Sequence, residues 1–409
     1  MLHELPDRLD TGGPRELPQL RELVLLVHPL REHGKHEPAL GLAARRGIRS
    51  ALRHRGIIAQ TMNAETLAQR TLELVDIPSV SREEAAIARY VAEAVPLERA
   101  FDDGDSVLFT TPRTDERELV VLAGHLDTVP AQGNLPGRRD GAAVVGLGAS
   151  DMKGGLAVMI ELARWAADGP ELAFDLGFLF FPREELGADE GALPAFFEGC
   201  PQLNEAGLVV LLEPTDNAIQ AGCLGNIAAR MVFHGESAHS ARPWLGVNAI
   251  VLALEELRLV FAIEPQPVDV EGLTFVEVLS ATRIHGGIAD NVIPDRVEAT
   301  LNYRYAPSRT PEEAAARLRQ LAPGAEIVSH SPPGRVVTST PLVEQLRQAG
   351  PFAVEPKQAW TNVADFTSRG IDAVNLGPGA TRYAHRRDER VEAAELLRTY
   401  EALQRFASV

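Results

Sequence analysis

The stretch VVLAGHLDTVP, residues 120–130, decides how the rest of the chain is read. With Leu119 ahead of it, the apolar start reads as a buried strand. Side chains alternate along a strand, so His125 and Asp127 share one face if the extension continues that far. A metal site, a proton relay and a merely polar loop mouth all fit an imidazole and a carboxylate placed there.

Two more apolar runs follow, FDLGFLFF at 174–181 and GLVVLLEP at 207–214. Before them GGLAVMIELARWAADG, 154–169, carries a helix pattern closed by Gly169-Pro170, and SREEAAIARYVAEAV places Ser81 and Glu84 at capping-box spacing ahead of another helix. Strands alternating with helices predict an α/β sheet covered on both faces. In such sheets ligands gather outside the carboxyl ends of the strands. Here those ends carry His125 and Asp127, then Glu184 and Glu185, then Glu213.

From about Asn226 the pattern changes. NIAARMVFHG alternates, GVNAIVLALEELRLVFAI predicts a helix of about eighteen residues, and LTFVEVLSATRIHGG alternates again. DRVEATLNYRYAP predicts another strand, and TPEEAAARLRQLAPG a helix capped by Thr310. This strand-helix-strand-strand-helix series reads as a compact α+β insertion. After Pro332-Pro333 helix and strand signals return, ending in AVNLGPGATRYAHRRDERV, 373–391.

The bulk numbers exclude some functions. At 409 residues the chain exceeds the usual size of one domain, and a net charge of −17 argues against a nucleic-acid partner, which needs clustered Lys and Arg. Two cysteines, Cys200 and Cys223, make no disulfide framework and fit a reducing, cytoplasmic compartment. Residues 1–61 differ, with ten Lys or Arg against seven Asp or Glu. Their apolar run ELVLLVHPL is too short to span a bilayer, so no membrane partner is expected. The segment reads as a poorly ordered extension or a start codon assigned too early, with an arm for an anionic surface as the other reading.

The candidate ligands are His125, Asp127, Asp151, Glu184, Glu185, Glu213 and His385. Two imidazoles among carboxylates suit zinc or another first-row divalent ion. Seven groups exceed what one zinc takes. Two metals sharing a bridging carboxylate account for five, leaving two to move protons or orient a ligand. The candidate bridge is Asp151, in GLGASDMKGG, where small residues let the backbone come close to an ion; the plain alternative is a helix N-cap. The adjacent glutamates of FFPREELG diverge, so one would coordinate and the other handle protons, unless they are a surface charge pair. Glu213, directly after five apolar residues, sits at the edge of a core and needs a partner.

These residues carry a resemblance. The motifs AGHLDTVP, GASDMKGG, EELG, LLEPT, AHSARPWLGVNAI, GGIADNVIPD, NYRYAP, AWTNVADF and GPGATRYAHRRDERV resemble, in order, the di-zinc aminoacylase/carboxypeptidase family, and within it the actinobacterial succinyl-diaminopimelate desuccinylases. The similarity covers residues 62–409. It implies an exopeptidase-like α/β catalytic domain in two parts, 62–226 and 337–409, with a ferredoxin-like α+β dimerisation and lid domain inserted at 227–336. It implies two Zn2+, for which Co2+ or Mn2+ substitutes: His125, Asp151 and Glu213 on one, Asp151, Glu185 and His385 on the other. Asp127 would hold His125 in its coordinating tautomer and Glu184 would be the general base and acid. His239, on the insertion, would reach the active site of a homodimer partner. Arg242, Asn291, Arg304 and Thr361 are the substrate-carboxylate candidates, though arginines and histidines of these kinds are also common on plain surfaces. One departure stands beside them: where better-known branches carry a basic residue ahead of the insertion, this chain reads AGCLG around Cys223, with Arg242 as a compensating candidate. The implied reaction is hydrolysis of an N-acyl amino acid, N-succinyl-LL-2,6-diaminopimelate. An acetylornithine-type deacylase is the near alternative, and a non-catalytic binding protein the remote one.

Overall fold

The structure, a computed structural model, describes residues 62–114, 116–186 and 190–409; the extension read from residues 1–61 lies outside them. In chain order the first strands are β1 (Glu98–Asp102), β2 (Val107–Thr110), β3 (Leu119–His125), β4 (Arg138–Asp140), β5 (Ala143–Val145), β6 (Asp175–Phe181), β7 (Ala206–Leu211), β8 (Ile219–Ala221) and β9 (Gly225–His234). The remainder are β10 (Ala238–His239), β11 (Gln266–Val270), β12 (Leu273–Gly286), β13 (Val292–Ile293), β14 (Arg296–Tyr305), β15 (Glu326–Ser331), β16 (Val354–Pro356), β17 (Ala373–Asn375) and β18 (Arg390–Glu392). The helices are α1 (Ala64–Val75), α2 (Ala85–Ala94), α3 (Gly154–Ala167), α4 (Leu193–Gly199), α5 (Ala249–Phe261), α6 (Pro311–Leu321), α7 (Pro341–Gln348), α8 (Val363–Thr367) and α9 (Ala393–Ala407).

The three apolar runs become neighbours in an eight-stranded sheet of order β1-β2-β6-β3-β7-β17-β8-β16. Its centre, β6-β3-β7-β17, is parallel. Every residue of β3 and β6 is buried, because alternate side chains feed two cores. Val120 and Leu122 pack with Leu67 of α1, Leu156 of α3 and Leu403 of α9. Leu119, Val121 and Ala123 face the other way, with Phe196 of α4 and Phe366 of α8. Each fully buried aliphatic side chain here contributes about 1.5–3 kcal/mol, which holds the strand ends in register.

The second, smaller domain is α+β. Its antiparallel sheet has the order β11-β12-β14-β9-β15, with α5 and α6 supplying Ala253, Leu257, Ala314 and Leu318 to the core beneath it. Without β11 the series β9-α5-β12-β14-α6-β15 is a ferredoxin-like arrangement. The chain enters and leaves this domain at one place, where Cys223 and Gly334 exchange backbone hydrogen bonds of 3.2 and 3.1 Å.

Three local expectations change. Ser81 caps no helix: α2 begins at Ala85 with Glu84 before it, and the Ser81 hydroxyl donates instead to Asp127 Oδ2 at 2.7 Å. The helix of about eighteen residues is thirteen long, because the Asn248 side chain accepts from Ile250 N–H and starts it late. The five-stranded sheet of the α+β domain gains two strands, β11 and β15, the first holding Pro267 at a sheet edge, and β10 and β13 form a separate two-stranded pair. The capped helix after Thr310 forms as expected, with a reciprocal Thr310–Glu313 capping box. Among the described residues no helix is long and apolar enough to cross a membrane.

Candidate metal centre

Parallel register delivers the site. His125 ends β3 opposite Phe181, the last residue of β6, and Ala123 lies opposite Leu211, the last of β7. The residues just beyond those ends, Glu184, Glu185 and Glu213, therefore emerge on the same side of the sheet as His125. Asp151 comes from the turn before α3, with a non-helical backbone (φ −122°, ψ 92°). It caps nothing; Lys153 occupies the N-cap position. His385, on a loop ahead of β18, has φ 60°, a left-handed conformation uncommon for a residue with a Cβ.

Asp151 lies between the two imidazoles. Its Oδ1 is 3.2 Å from His125 Nε2 and its Oδ2 3.4 Å from His385 Nε2. Glu213 Oε1 completes the first side at 3.8 Å from His125 Nε2, and Glu185 the second at 3.0 Å from His385 Nε2. The ligand atoms of His125, Asp151 and Glu213 lie within 4.8 Å of one another, as do those of Asp151, Glu185 and His385. A third trio, His125, Glu184 and Glu185, meets the same limit, so proximity alone does not separate the two glutamates. Their partners do, since it is the Glu185 carboxylate that contacts His385.

Asp127 is buried and fully used. Its carboxylate accepts from the Ser81 hydroxyl and from the Glu184 and Glu185 N–H groups, at 3.0 and 3.1 Å for the last two. Toward His125 Nδ1 its main-chain carbonyl is nearer, at 3.1 Å, than its carboxylate, at 3.5 Å. Asp127 thus orients the histidine and fixes the backbone of the glutamate pair. Glu389 does the same for Asp151. Its buried carboxylate accepts from the N–H groups of Gly148, Ser150 and Asp151 at 3.0, 3.1 and 2.9 Å.

The electrostatics call for positive charge. Burial pushes the Glu184 carboxyl well above the usual range; the His125 charge opposes this, and Glu213, Glu185 and Asp151 add to it. Burial and the Asp151 charge push Glu213 up to about 7. The His385 imidazole is driven up to about 11 by its bonds to Asp151 and Glu185. Burial pulls the His125 imidazole down, yet its bonds to Asp127 and Asp151 hold it well above the ordinary value. Glu213 Oε1 is buried with no hydrogen-bond partner. An orphaned carboxylate oxygen facing an imidazole and a shared aspartate is a donor set that fits a divalent first-row cation.

The centre opens on a cleft of about 430 Å³. Of the expected substrate residues, Arg304 and Thr361 line it and Arg242 and Asn291 do not; nor does His239, expected to act in the partner's site. Those three sit together on the α+β domain, where β10 pairs with β13 and the Ser240 N–H donates to the Asn291 carbonyl. Sequence reasoning missed Ser81, Glu389 and three cleft residues, Asn226, Lys357 and Trp360. Glu389 and Trp360 lie inside the quoted HRRDERV and AWTNVADF, and Asn226 opens NIAARMVFHG, but nothing local marked these residues or Lys357 as parts of the site.

Comparison with known proteins agrees with this geometry. Residues 121–409 match the profile of Peptidase family M20/M25/M40. A Mycobacterium tuberculosis protein provisionally named succinyl-diaminopimelate desuccinylase DapE is 38% identical over 347 residues, covering 82% of this chain and 96% of that one. The succinyl-diaminopimelate desuccinylase of Corynebacterium glutamicum is 34% identical over 353 residues, covering 83% and 95%. Among solved structures, the aminopeptidase PepT of Bacillus cereus superposes with a TM-score of 0.65 at 20% identity, over 85% of this chain and 98% of that one, a likeness of fold. With two histidine–carboxylate trios sharing Asp151 at the strand ends, the chain is a metal-dependent hydrolase and belongs to Peptidase family M20/M25/M40.

Proposed function

We propose that this hydrolase cleaves the amide of N-succinyl-LL-2,6-diaminopimelate, giving succinate and LL-2,6-diaminopimelate. The observation that carries the reading is Asp151, shared between two ligand trios in a cleft that is also lined by Arg304, a cation with no ion pair among the described residues. The names of the two bacterial relatives above supply the substrate. His125, Asp151 and Glu213 would hold one Zn2+, and Asp151, Glu185 and His385 the other. The chemistry such cations supply when bound is acidification of water and polarisation of the scissile carbonyl.

The chain's own residues do the rest. Glu184, whose carboxyl burial pushes above the usual range, takes a proton from the attacking water as the new C–O bond forms. As the C–N bond breaks it returns that proton to the leaving nitrogen, so the enzyme ends unchanged. Asp127 holds the Glu184 N–H at 3.0 Å and keeps this carboxyl on station. Arg304 and Thr361 face the bound carboxylates across the cleft.

His239, Arg242 and Asn291 act in the partner's site of a homodimer in this reading. Support comes from the face that carries them: Trp244, Ile250, Val251 and Leu254 are all exposed, a patch on and beside α5 that water does not favour. Next to it, β12 beyond Glu277 pairs with β14 on one side only. Cytoplasmic location is supported by Cys200 and Cys223, both buried and unpaired.

The test is succinate release by the zinc-loaded chain from N-succinyl-LL-diaminopimelate, run beside N-acetylornithine. Turnover should favour the succinyl substrate and fall by roughly 10²–10⁴-fold in Glu184→Gln. Preference for N-acetylornithine would move the substrate to the acetyl class, and an undiminished Glu184→Gln would remove the proposed base.

A further inference from the structure

The cleft holds a buried cation whose charge pulls against the upward push on the Glu213 carboxyl but which touches no carboxylate among the described residues. Lys357 follows β16 and is only 4% exposed, yet it forms no ion pair with any described carboxylate. Its Nζ has one contact, to the Pro214 carbonyl at 3.5 Å, the outer limit of a hydrogen bond. That carbonyl already accepts from the Thr381 hydroxyl at 2.8 Å. An ammonium carries three donors, and leaving them unmet in a buried place is expensive. The lysine is therefore poised for an acceptor that the folded chain does not provide.

Arg304 is in the same position on the facing wall. It projects from β14 into the same cleft, forms no ion pair among the described residues, and spends one N–H on Asn302 Oδ1 at 2.8 Å. Every acidic side chain lining the cleft, Asp151, Glu184, Glu185 and Glu213, belongs to the metal centre. The two free cations are thus directed at ligand. Lys357 also has a short reach from the chemistry, because the carbonyl it touches belongs to the residue after Glu213. Its charge also acts on the Glu213 carboxyl, which sets an anion bound by Lys357 beside the metal centre.

We propose that Lys357 binds a substrate carboxylate close to the scissile amide, and so selects for acidic N-acyl amino acids within the activity proposed above. In an N-succinyl amino acid two carboxylates qualify: the free end of the acyl arm and the α-carboxylate of the amine arm. Lys357 meets either as a point charge, whereas Arg304 suits bidentate capture of another carboxylate on the same substrate.

The experiment uses the zinc-loaded full chain and its Lys357→Met variant, with Lys357→Gln held ready if the methionine variant does not fold. Binding is measured for two pairs: succinate against its monoamide, and LL-diaminopimelate against its monoamide. In the wild type the carboxylate member of one pair should bind more tightly, on the order of 10- to 100-fold, as for a charged hydrogen bond. Lys357→Met should erase that preference while leaving the amide's affinity within about threefold, and the pair that responds identifies the arm. Equal losses for acid and amide, or no loss in either pair, would overturn the proposal. Binding needs no turnover. A wild type that discriminates but does not hydrolyse N-succinyl-LL-diaminopimelate would sink the desuccinylase reading and spare Lys357, and the reverse result would do the opposite.

Discussion

Replacing Glu389 with glutamine measures how firmly Asp151 is held. The wild-type carboxylate is 1% exposed, and three backbone N–H groups converge on it: Ser150 and Asp151 on Oε1, Gly148 on Oε2. Glutamine keeps the shape but turns one acceptor into a donor. In its better orientation the amide oxygen takes the Oε1 place and keeps two bonds, now uncharged. The NH2 group then faces the Gly148 N–H, donor against donor. One unsatisfied buried N–H costs about 1–3 kcal/mol, and charge-assisted bonds lose roughly half their strength when neutralised. The sum is about 2–4 kcal/mol, drawn partly from global stability and partly from the placement of Asp151. Groups that orient metal ligands typically carry about 10–100-fold in metal affinity, and Glu389→Gln should lose zinc by that factor. The assay is chelator competition for zinc together with urea unfolding of the same samples. Both run at pH 8, above the value of about 7 to which burial pushes Glu389 against the pull of the three N–H groups. Zinc affinity and unfolding midpoint both equal to wild type would refute the claim that this carboxylate positions the bridge.

Two other outcomes follow from the α+β domain. Burial pushes the Glu277 carboxyl up, but Arg309, the Ala306 N–H and the Tyr303 hydroxyl together hold it below its ordinary value. A depressed carboxylate contributes stability above its unfolded pKa of about 4.3 and loses it as pH falls through the folded value. Wild-type stability should therefore drop more steeply than that of Glu277→Gln between about pH 5 and pH 3; parallel acid-unfolding curves would show that the cluster has no such role. Leu254→Glu, in the exposed apolar face of α5, should give a monomer by sedimentation. A dimer unchanged by that substitution would place the interface elsewhere.

The strand ends were legible in the sequence because parallel strands buried on both faces leave unbroken apolar runs, and the first polar residue after each run marks the catalytic edge of the sheet. The ferredoxin-like half was legible too, since β9 and β14 alternate cleanly between buried and half-buried positions. What stayed hidden acts across long stretches of chain. Ser81 has a capping residue's spacing, but its hydroxyl is spent on Asp127, 46 positions away. Glu389 sits among Arg386, Arg387, Asp388 and Arg390, a run that reads as solvated surface, and its bonds reach back 238 to 241 positions. Lys357, in EPKQA, has a loop lysine's surroundings, and only the packing of the cleft shows that it is buried. No local period encodes such contacts.

The paired crossing at Cys223 and Gly334 has a consequence for how such an enzyme is assembled over evolutionary time. A module whose entrance and exit are hydrogen-bonded neighbours leaves the host sheet's strand order untouched, whether present or absent. One insertion or deletion event suffices to exchange it. Because every first-trio and second-trio ligand lies outside it, a lineage can trade one α+β module for another, and with it the far wall of the cleft, while the metal centre is inherited unaltered.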